Sequence, residues 1–179
     1  MFSVAVGPYV VRCQDFGVPT IFERLKKQAT LVVQDEEPAR QARTGLCFVS
    51  VSRGPEDLLL VVTQMCEPGP SSGFHPGIAL ILETNILFLG AGCVVQAFDL
   101  NTPKKLWQDT ADTGFWGWAR YGNIVLMSAE LELAAWDTQG RKLWTTFVEP
   151  PWSYRVLNDV VHLDAMGALS SFDILKGPG

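Results

Sequence analysis

NILFLGAGCVVQAFD, Asn85 to Asp99, can be laid without a gap over NIVLMSAELELAAWD, Asn123 to Asp137, and over DVVHLDAMGALSSFD, Asp159 to Asp173. The starts are 38 and 36 residues apart. A period of that size belongs to repeat architectures, in which each unit buries its apolar face against the next. Every copy opens with Asn or Asp and two aliphatics and closes on a small residue, an aromatic and an aspartate: Ala97-Phe98-Asp99, Ala135-Trp136-Asp137 and Ser171-Phe172-Asp173.

Working outward, two copies continue alike, LNTPKKLW ending at Trp107 and TQGRKLW ending at Trp144. Asn101, Thr102 and Pro103 suit one tight turn, and Gln139-Gly140 supplies a glycine to the other. A further apolar run precedes each copy: Gly77 to Glu83, Gly117 to Tyr121 and Ser153 to Leu157. With β-branched and aromatic residues gathered in the runs and reversing residues between them, each repeat reads as short strands joined by hairpins.

That pattern, a strand ending in Ala-aromatic-Asp, a turn, a lysine and Leu-Trp, resembles the PQQ-like repeat of β-propellers, with WD-type propellers sharing aromatic-Asp endings. It covers about residues 77–177 as two good copies and one truncated copy. The resemblance implies blades that are four-stranded antiparallel meanders. It further implies that Asp99, Asp137 and Asp173 hold the turn after the third strand and that Trp107 and Trp144 pack between neighbouring blades. The expected fold is therefore mainly β, a small or partly open propeller-like array with at most one or two short helices. The third copy stops after Asp173 without a Leu-Trp strand, so an edge has to be covered; the N-terminal strand around Phe2 to Val6, or another chain, is expected there.

Residues 1–76 carry no clear copy and are read as a β-rich N-terminal region that completes the same fold, 77–179 being the repeats. Phe2, Val4 and Val6 alternate as in a strand. Thr20-Ile-Phe-Glu23 has the form of a capping box, which predicts a helix over about 21–28. QDEEPARQAR, Gln34 to Arg43, reads as an exposed loop, strands follow at Leu46 to Val51 and Leu58 to Gln64, and EPGPSSGFHPG, Glu67 to Gly77, reads as a linker or long loop.

The chain has 179 residues, 47% of them hydrophobic, and a net charge of -5. Its basic pairs, Lys26-Lys27, Lys104-Lys105 and Arg141-Lys142, are isolated, whereas nucleic-acid binding needs clustered cations, so nucleic acid is excluded as a partner. No apolar stretch reaches the length of a membrane helix. Cys13, Cys47, Cys66 and Cys93 are too scattered for a metal knuckle or a disulfide scaffold, which predicts four free thiols. With an N-terminus lacking a charged leader region, they point to a cytoplasmic protein, and small size and β-only character suggest a bacterial one.

Chemistry-bearing groups are sparse. His162 and Asp164 share one strand face, Cys66 and His75 flank the Pro/Gly-rich segment, and Glu130 and Glu132 form an acidic pair. None makes the complete constellation that a metal site or nucleophilic catalysis needs, so no catalytic, metal or cofactor residue is assigned. All six tryptophans fall between Trp107 and Trp152. Trp107, Trp136 and Trp144 occupy repeat positions; Trp116, Trp118 and Trp152 do not. In FWGWAR strict alternation puts Trp116, Trp118 and Arg120 on one face. Tryptophan and arginine are enriched at binding hot spots, so Trp116, Trp118, Arg120 and Trp152 are the candidate binding residues. The expected function is a non-enzymatic binding or scaffold protein for a protein partner or a further copy of itself, the alternative being a small-molecule-binding or enzymatic relative of quinone-type propellers.

Overall fold

The computed structural model describes residues 1–34 and 45–179; the expected loop from Gln34 to Arg43 lies, apart from Gln34 itself, outside them. The first sheet holds β1 (Phe2–Val6), β2 (Tyr9–Gln14), β3 (Leu31–Gln34), β4 (Leu46–Arg53) and β5 (Asp57–Met65) in the order β1-β2-β4-β5-β3. Only β3 runs parallel to its neighbour, β5. The second sheet is the meander β6 (Gly77–Ile81), β7 (Ile86–Ala91), β8 (Val94–Asp99) and β9 (Lys104–Thr110). The third repeats it with β10 (Phe115–Tyr121), β11 (Ile124–Ala129), β12 (Glu132–Asp137) and β13 (Lys142–Phe147). The fourth has three strands, β14 (Trp152–Leu157), β15 (Val160–Ala165) and β16 (Ala168–Asp173). The aligned copies are thus the second and third strands of successive sheets, and the truncated copy is the three-stranded sheet. The array is mainly β and open, a propeller-like repeat in which no sheet closes.

Alternation along each strand makes three apolar seams. The first and second sheets meet through Tyr9, Val11, Val49, Val51, Leu87 and Phe98. The second and third meet through Phe88, Val95, Phe115, Val125, Met127 and Trp136, and the third and fourth through Leu126, Leu133, Trp144, Val161 and Leu163. Each such large side chain contributes about 1.5–3 kcal/mol when fully buried. The far face of the first sheet is covered by α1 (Phe22–Gln28), whose Phe22 sits edge-on to Phe48 beside Leu58 and Val61.

Several expectations need correction. Thr20 builds no capping box: Ile21 is the N-cap, without a side-chain cap bond, and the Pro19 carbonyl accepts the Phe22 N–H at 2.9 Å. The segment from Glu67 to Gly77 is a long loop, and it is docked. Its Glu67 carbonyl accepts the Cys93 N–H at 3.0 Å, and Pro70–Ser72 form a 3-10 turn. Gly90 lies in β7, paired with Gly77, and the turn that follows uses Gly92, at φ 56°. β1 does not cover the last sheet: it pairs with β2 in the first, and among the described residues nothing pairs with the outer edge of β16.

Candidate functional site

The conserved geometry of the repeat is structural. Asp99 Oδ1 accepts the Asn101 N–H at 2.8 Å and its Oδ2 the Thr102 hydroxyl at 2.8 Å. Asp137 Oδ1 accepts the N–H groups of Gln139 and Arg141 at 2.9 Å each, and Asp173 Oδ1 those of Leu175 and Lys176 at 2.8 and 3.0 Å. Burial alone pushes the Asp99 carboxyl up, but the bonds from Thr102 and Asn101 outweigh it and hold it below its ordinary value. Each fourth-strand tryptophan reaches the next sheet. Trp107 stacks on Trp136 at 5.3 Å and donates its Nε1–H to the Gly140 carbonyl. Trp144 meets Phe172 edge-on at 5.4 Å and donates to the Ile174 carbonyl at 2.7 Å.

The sequence-predicted binding residues do not share one face. A bulge falls between Phe115 and Gly117, where the register against β11 shifts by one residue. Trp116 is the extra residue, so alternation is reset across it. Trp118 points into the seam with the second sheet, 5.4 Å from Phe88, 5.3 Å from Phe115 and 5.6 Å from Trp136, with its Nε1–H buried and without an acceptor among the described residues. The Arg120 guanidinium, at the surface, pairs with exposed Glu83 through both carboxylate oxygens, at 3.1 and 3.0 Å, and its Nε–H is held by the Gly122 carbonyl at 2.9 Å.

Trp116 and Trp152 do come together. Their rings stack at 5.3 Å and 15°, and Trp152 stacks on Tyr154 at 6.2 Å and 22°. The Trp152 Nε1–H is fixed by the Glu130 carbonyl at 2.9 Å, while Trp116 remains 44% exposed. Burial pushes the Tyr154 phenol up to about 12, so the row is neutral across physiological pH. Glu130 lies at the same end of the third sheet, its N–H bonded to the Gly114 carbonyl at 3.0 Å, with exposed Glu149 and Asp112 on the connections beside it. What the geometry offers is an aromatic platform at an acid-lined end of the sheet. Sequence reasoning missed the stacking because strict alternation was carried through the bulge; Gly117 within the strand was the available signal.

The other chemical candidates disperse. His75 Nδ1 is 3.7 Å from Asp15, His162 Nδ1 is 2.8 Å from the Ser171 hydroxyl, and Asp164 accepts the Gly167 N–H at 2.9 Å. Glu132 is not paired with Glu130 on a strand face: it accepts from Thr145 at 2.6 Å and from the Asp112 N–H at 3.1 Å. Cys13, Cys47 and Cys66 are buried and Cys93 is half-buried. Burial, with nearby Asp15, pushes the Cys13 thiol up to about 12; a hydrogen bond with Cys66, then burial, raises Cys47. Thiols held protonated in this way are poor nucleophiles. Among the described residues no helix is long and apolar enough to cross a membrane.

No protein-family model matches the chain, and no curated protein matches it. Among solved structures it is similar to the computationally designed Ika8 protein, at 18% identity and TM-score 0.46 over 98% of this chain and 58% of that one. It is also similar to the computationally designed Ika4 protein, at 16% and 0.45 over 82% and 97%, and to BamB from Moraxella catarrhalis, at 11% and 0.41 over 71% and 39%. The propeller-like architecture of this chain stands on its own sheet order and its repeated tryptophan-to-carbonyl bonds.

Proposed function

We propose that the protein is a non-enzymatic binding module that recognises a protein partner through Trp116 and Trp152, and that it works in the cytoplasm of a bacterium with its thiols reduced. The observation carrying this reading is the bulge in β10, which turns Trp116 out of the seams and sets it, exposed, on Trp152. Bulges re-aim side chains next to functional sites, and a rigid indole loses little entropy when a partner covers it. Since Arg120 is neutralised by Glu83 and the neighbouring groups are acidic, the partner group that fits is cationic, an arginine or lysine laid over the indoles. The repeat is assigned to the PQQ-like kind because the Leu-Trp pair recurs at Trp107 and Trp144, not because any quinone contact is implied.

The test is affinity capture of the partner from native-cell lysate with the wild-type chain, then titration of the recovered partner against wild type and Trp116→Ala. The substitution should weaken the complex by about 2 kcal/mol, the hot-spot scale, with an unchanged melting temperature. Equal affinity for both proteins would reject the platform as the binding site.

A further inference from the structure

The three repeat sheets can be compared position by position, because their strands pair in one register and every second residue shares a face. Across the second sheet one row reads Gly77, Gly90 and Val95, and the row beside it Ala79, Phe88 and Ala97. The third sheet has Gly117, Ser128 and Leu133, then Ala119, Leu126 and Ala135. These small and apolar side chains let the following sheet close in: Phe88, Val95 and Ala97 lie in the second seam, and Leu126, Leu133 and Ala135 in the third. The same two rows of the fourth sheet read Ser153, Asp164 and Leu169, then Arg155, His162 and Ser171.

A guanidinium thus stands where alanine stands twice, an imidazole where phenylalanine and leucine stand, and a carboxylate where glycine and serine stand. Packing this face as the earlier seams are packed would strip water from three ionisable groups without pairing them, which is costly. The six side chains instead frame a cavity of about 350 Å³, a size typical of small-molecule sites. Its polar groups are sorted. Arg155, with no ion pair or hydrogen bond among the described residues, is directly across from His162, whose Nδ1 is 2.8 Å from the Ser171 hydroxyl. With Ser171 donating to Nδ1, the ring proton is on Nε2, and the row of Arg155 and His162 is a row of donors. In the other row Asp164 engages Oδ1 with the Gly167 N–H at 2.9 Å, keeps Oδ2 as an acceptor, and is paired across the strands with Ser153. Leu169, 82% exposed, is the apolar wall. The two rows are about 7 Å apart along the strands, roughly the span of a six-carbon chain.

We propose that this face of the fourth sheet binds a small polyhydroxylated carboxylate, a sugar acid, with its carboxylate on Arg155 and His162 and its hydroxyls on Asp164 and Ser153. Charge-assisted bonds from the guanidinium fix the anionic end, Asp164 accepts from the hydroxyls, and Leu169 lies against the carbon chain. A carboxylate without hydroxyls would bring carbon and negative charge to Asp164, and a neutral sugar would leave Arg155 uncompensated, so both features are needed together. The site is independent of the Trp116–Trp152 platform, because Trp152 and Tyr154 belong to the opposite face of β14, which packs on the third sheet.

Titration with D-gluconate, followed through the imidazole resonances of His75 and His162, tests this. The His162 signals should shift along a saturable curve while those of His75 stay in place. D-glucose, which lacks the carboxylate, and hexanoate, which lacks the hydroxyls, should each bind at least about tenfold more weakly. Arg155→Ala, the residue found at this position in the second and third sheets, should weaken gluconate binding by at least about tenfold with an unchanged circular dichroism spectrum. His162→Leu, read by calorimetry, takes its place where Arg155→Ala does not fold. Trp116→Ala should bind gluconate as wild type does, which separates this outcome from that of the platform. A His162 signal that does not saturate overturns the proposal and leaves the face a wetted surface. So does gluconate bound no more tightly than glucose or hexanoate, or binding that a folded Arg155→Ala retains.

Discussion

The seam between the first and second sheets does with polar side chains what the seams further along do with tryptophan. In the later seams an indole N–H reaches across to a carbonyl in the next sheet's turn, Trp107 to Gly140 and Trp144 to Ile174. In the first, Arg53 Nη2 donates to the corresponding Leu100 carbonyl at 3.0 Å, held over the Tyr9 ring at 5.4 Å, and Tyr9 donates to Asn85 Oδ1 at 2.6 Å. A buried amide pair completes it: Gln64 donates to the carbonyls of Ala91 and Val94 at 2.7 and 2.9 Å and accepts from Gln96 at 3.0 Å. One mechanical task, fixing a sheet to its neighbour's turn, therefore has two chemical solutions within one chain.

The aromatic seam should fail hardest. Trp136 is 1% exposed and touches Trp107 and Trp118, so Trp136→Ala is expected to cost about 3–5 kcal/mol, the range for deleting a buried large aromatic. Chemical denaturation measures it, and a loss under about 1 kcal/mol would show that the seam does not hold the array. Gly90→Ala should come next. A methyl there would overlap the Phe115 ring, and overpacking of this kind costs about 1–3 kcal/mol; a variant as stable as wild type would mean that Phe115 moves aside freely. In the polar seam, Gln64→Leu keeps the volume but takes a side-chain donor from the Ala91 and Val94 carbonyls and removes the acceptor of the buried Gln96 Nε2–H. Each unpaired buried group costs about 1–3 kcal/mol, whereas a neutral result would place water on those carbonyls.

This division also explains what could be read in advance. Repetition made the second, third and fourth sheets legible, because aspartate turns and Leu-Trp strands recur as residue identities. The first sheet performs the same docking with Arg53 and Tyr9, which no periodicity marks, and its β3 pairs in parallel with β5 across a long separation in sequence. At the candidate site Trp116 and Trp152 were visible as non-repeating tryptophans, but their stacking depended on a bulge. Beyond the bulge Trp118 and Arg120 keep a common face, in regular register with Met127 and Val125, and it is Trp116 that leaves it. The bond between Arg120 and Glu83 spans 37 residues, a distance over which composition and spacing carry no information.

Alkaline titration sharpens the comparison at smaller scale. The Tyr154 phenol, raised to about 12 by burial, stays protonated in the folded chain at pH values where the unfolded chain ionises near 10. The folded state then holds more protons, so the stability from Tyr154 is full below pH 10 and falls as pH climbs towards 12; Cys13, also raised to about 12, acts in the same direction. Absorbance of tyrosinate separates them. In Trp152→Ala the Tyr154 transition should move down towards 10, because the indole stacked on it is gone. A transition unmoved by that change would mean that Trp152 does not shield the phenol.

The smallest effect is expected where the aromatic seam contains a flaw. Trp118 contributes a large ring to the packing around Phe88, Phe115 and Trp136, yet its indole N–H is buried with no acceptor among the described residues. Trp118→Phe removes that unpaired donor, whose burial costs about 1–3 kcal/mol, and forfeits some ring contact in exchange. The two changes oppose each other, so the net shift should stay within about 1 kcal/mol. Trp144→Phe is the matched control: it loses similar ring area but also strands the Ile174 carbonyl, and it should be destabilised by at least about 1 kcal/mol more than Trp118→Phe. Equal losses in the two variants would show that the Trp118 N–H is paired in solution, and a loss of partner binding by Trp118→Phe with stability intact would return this tryptophan to the recognition surface.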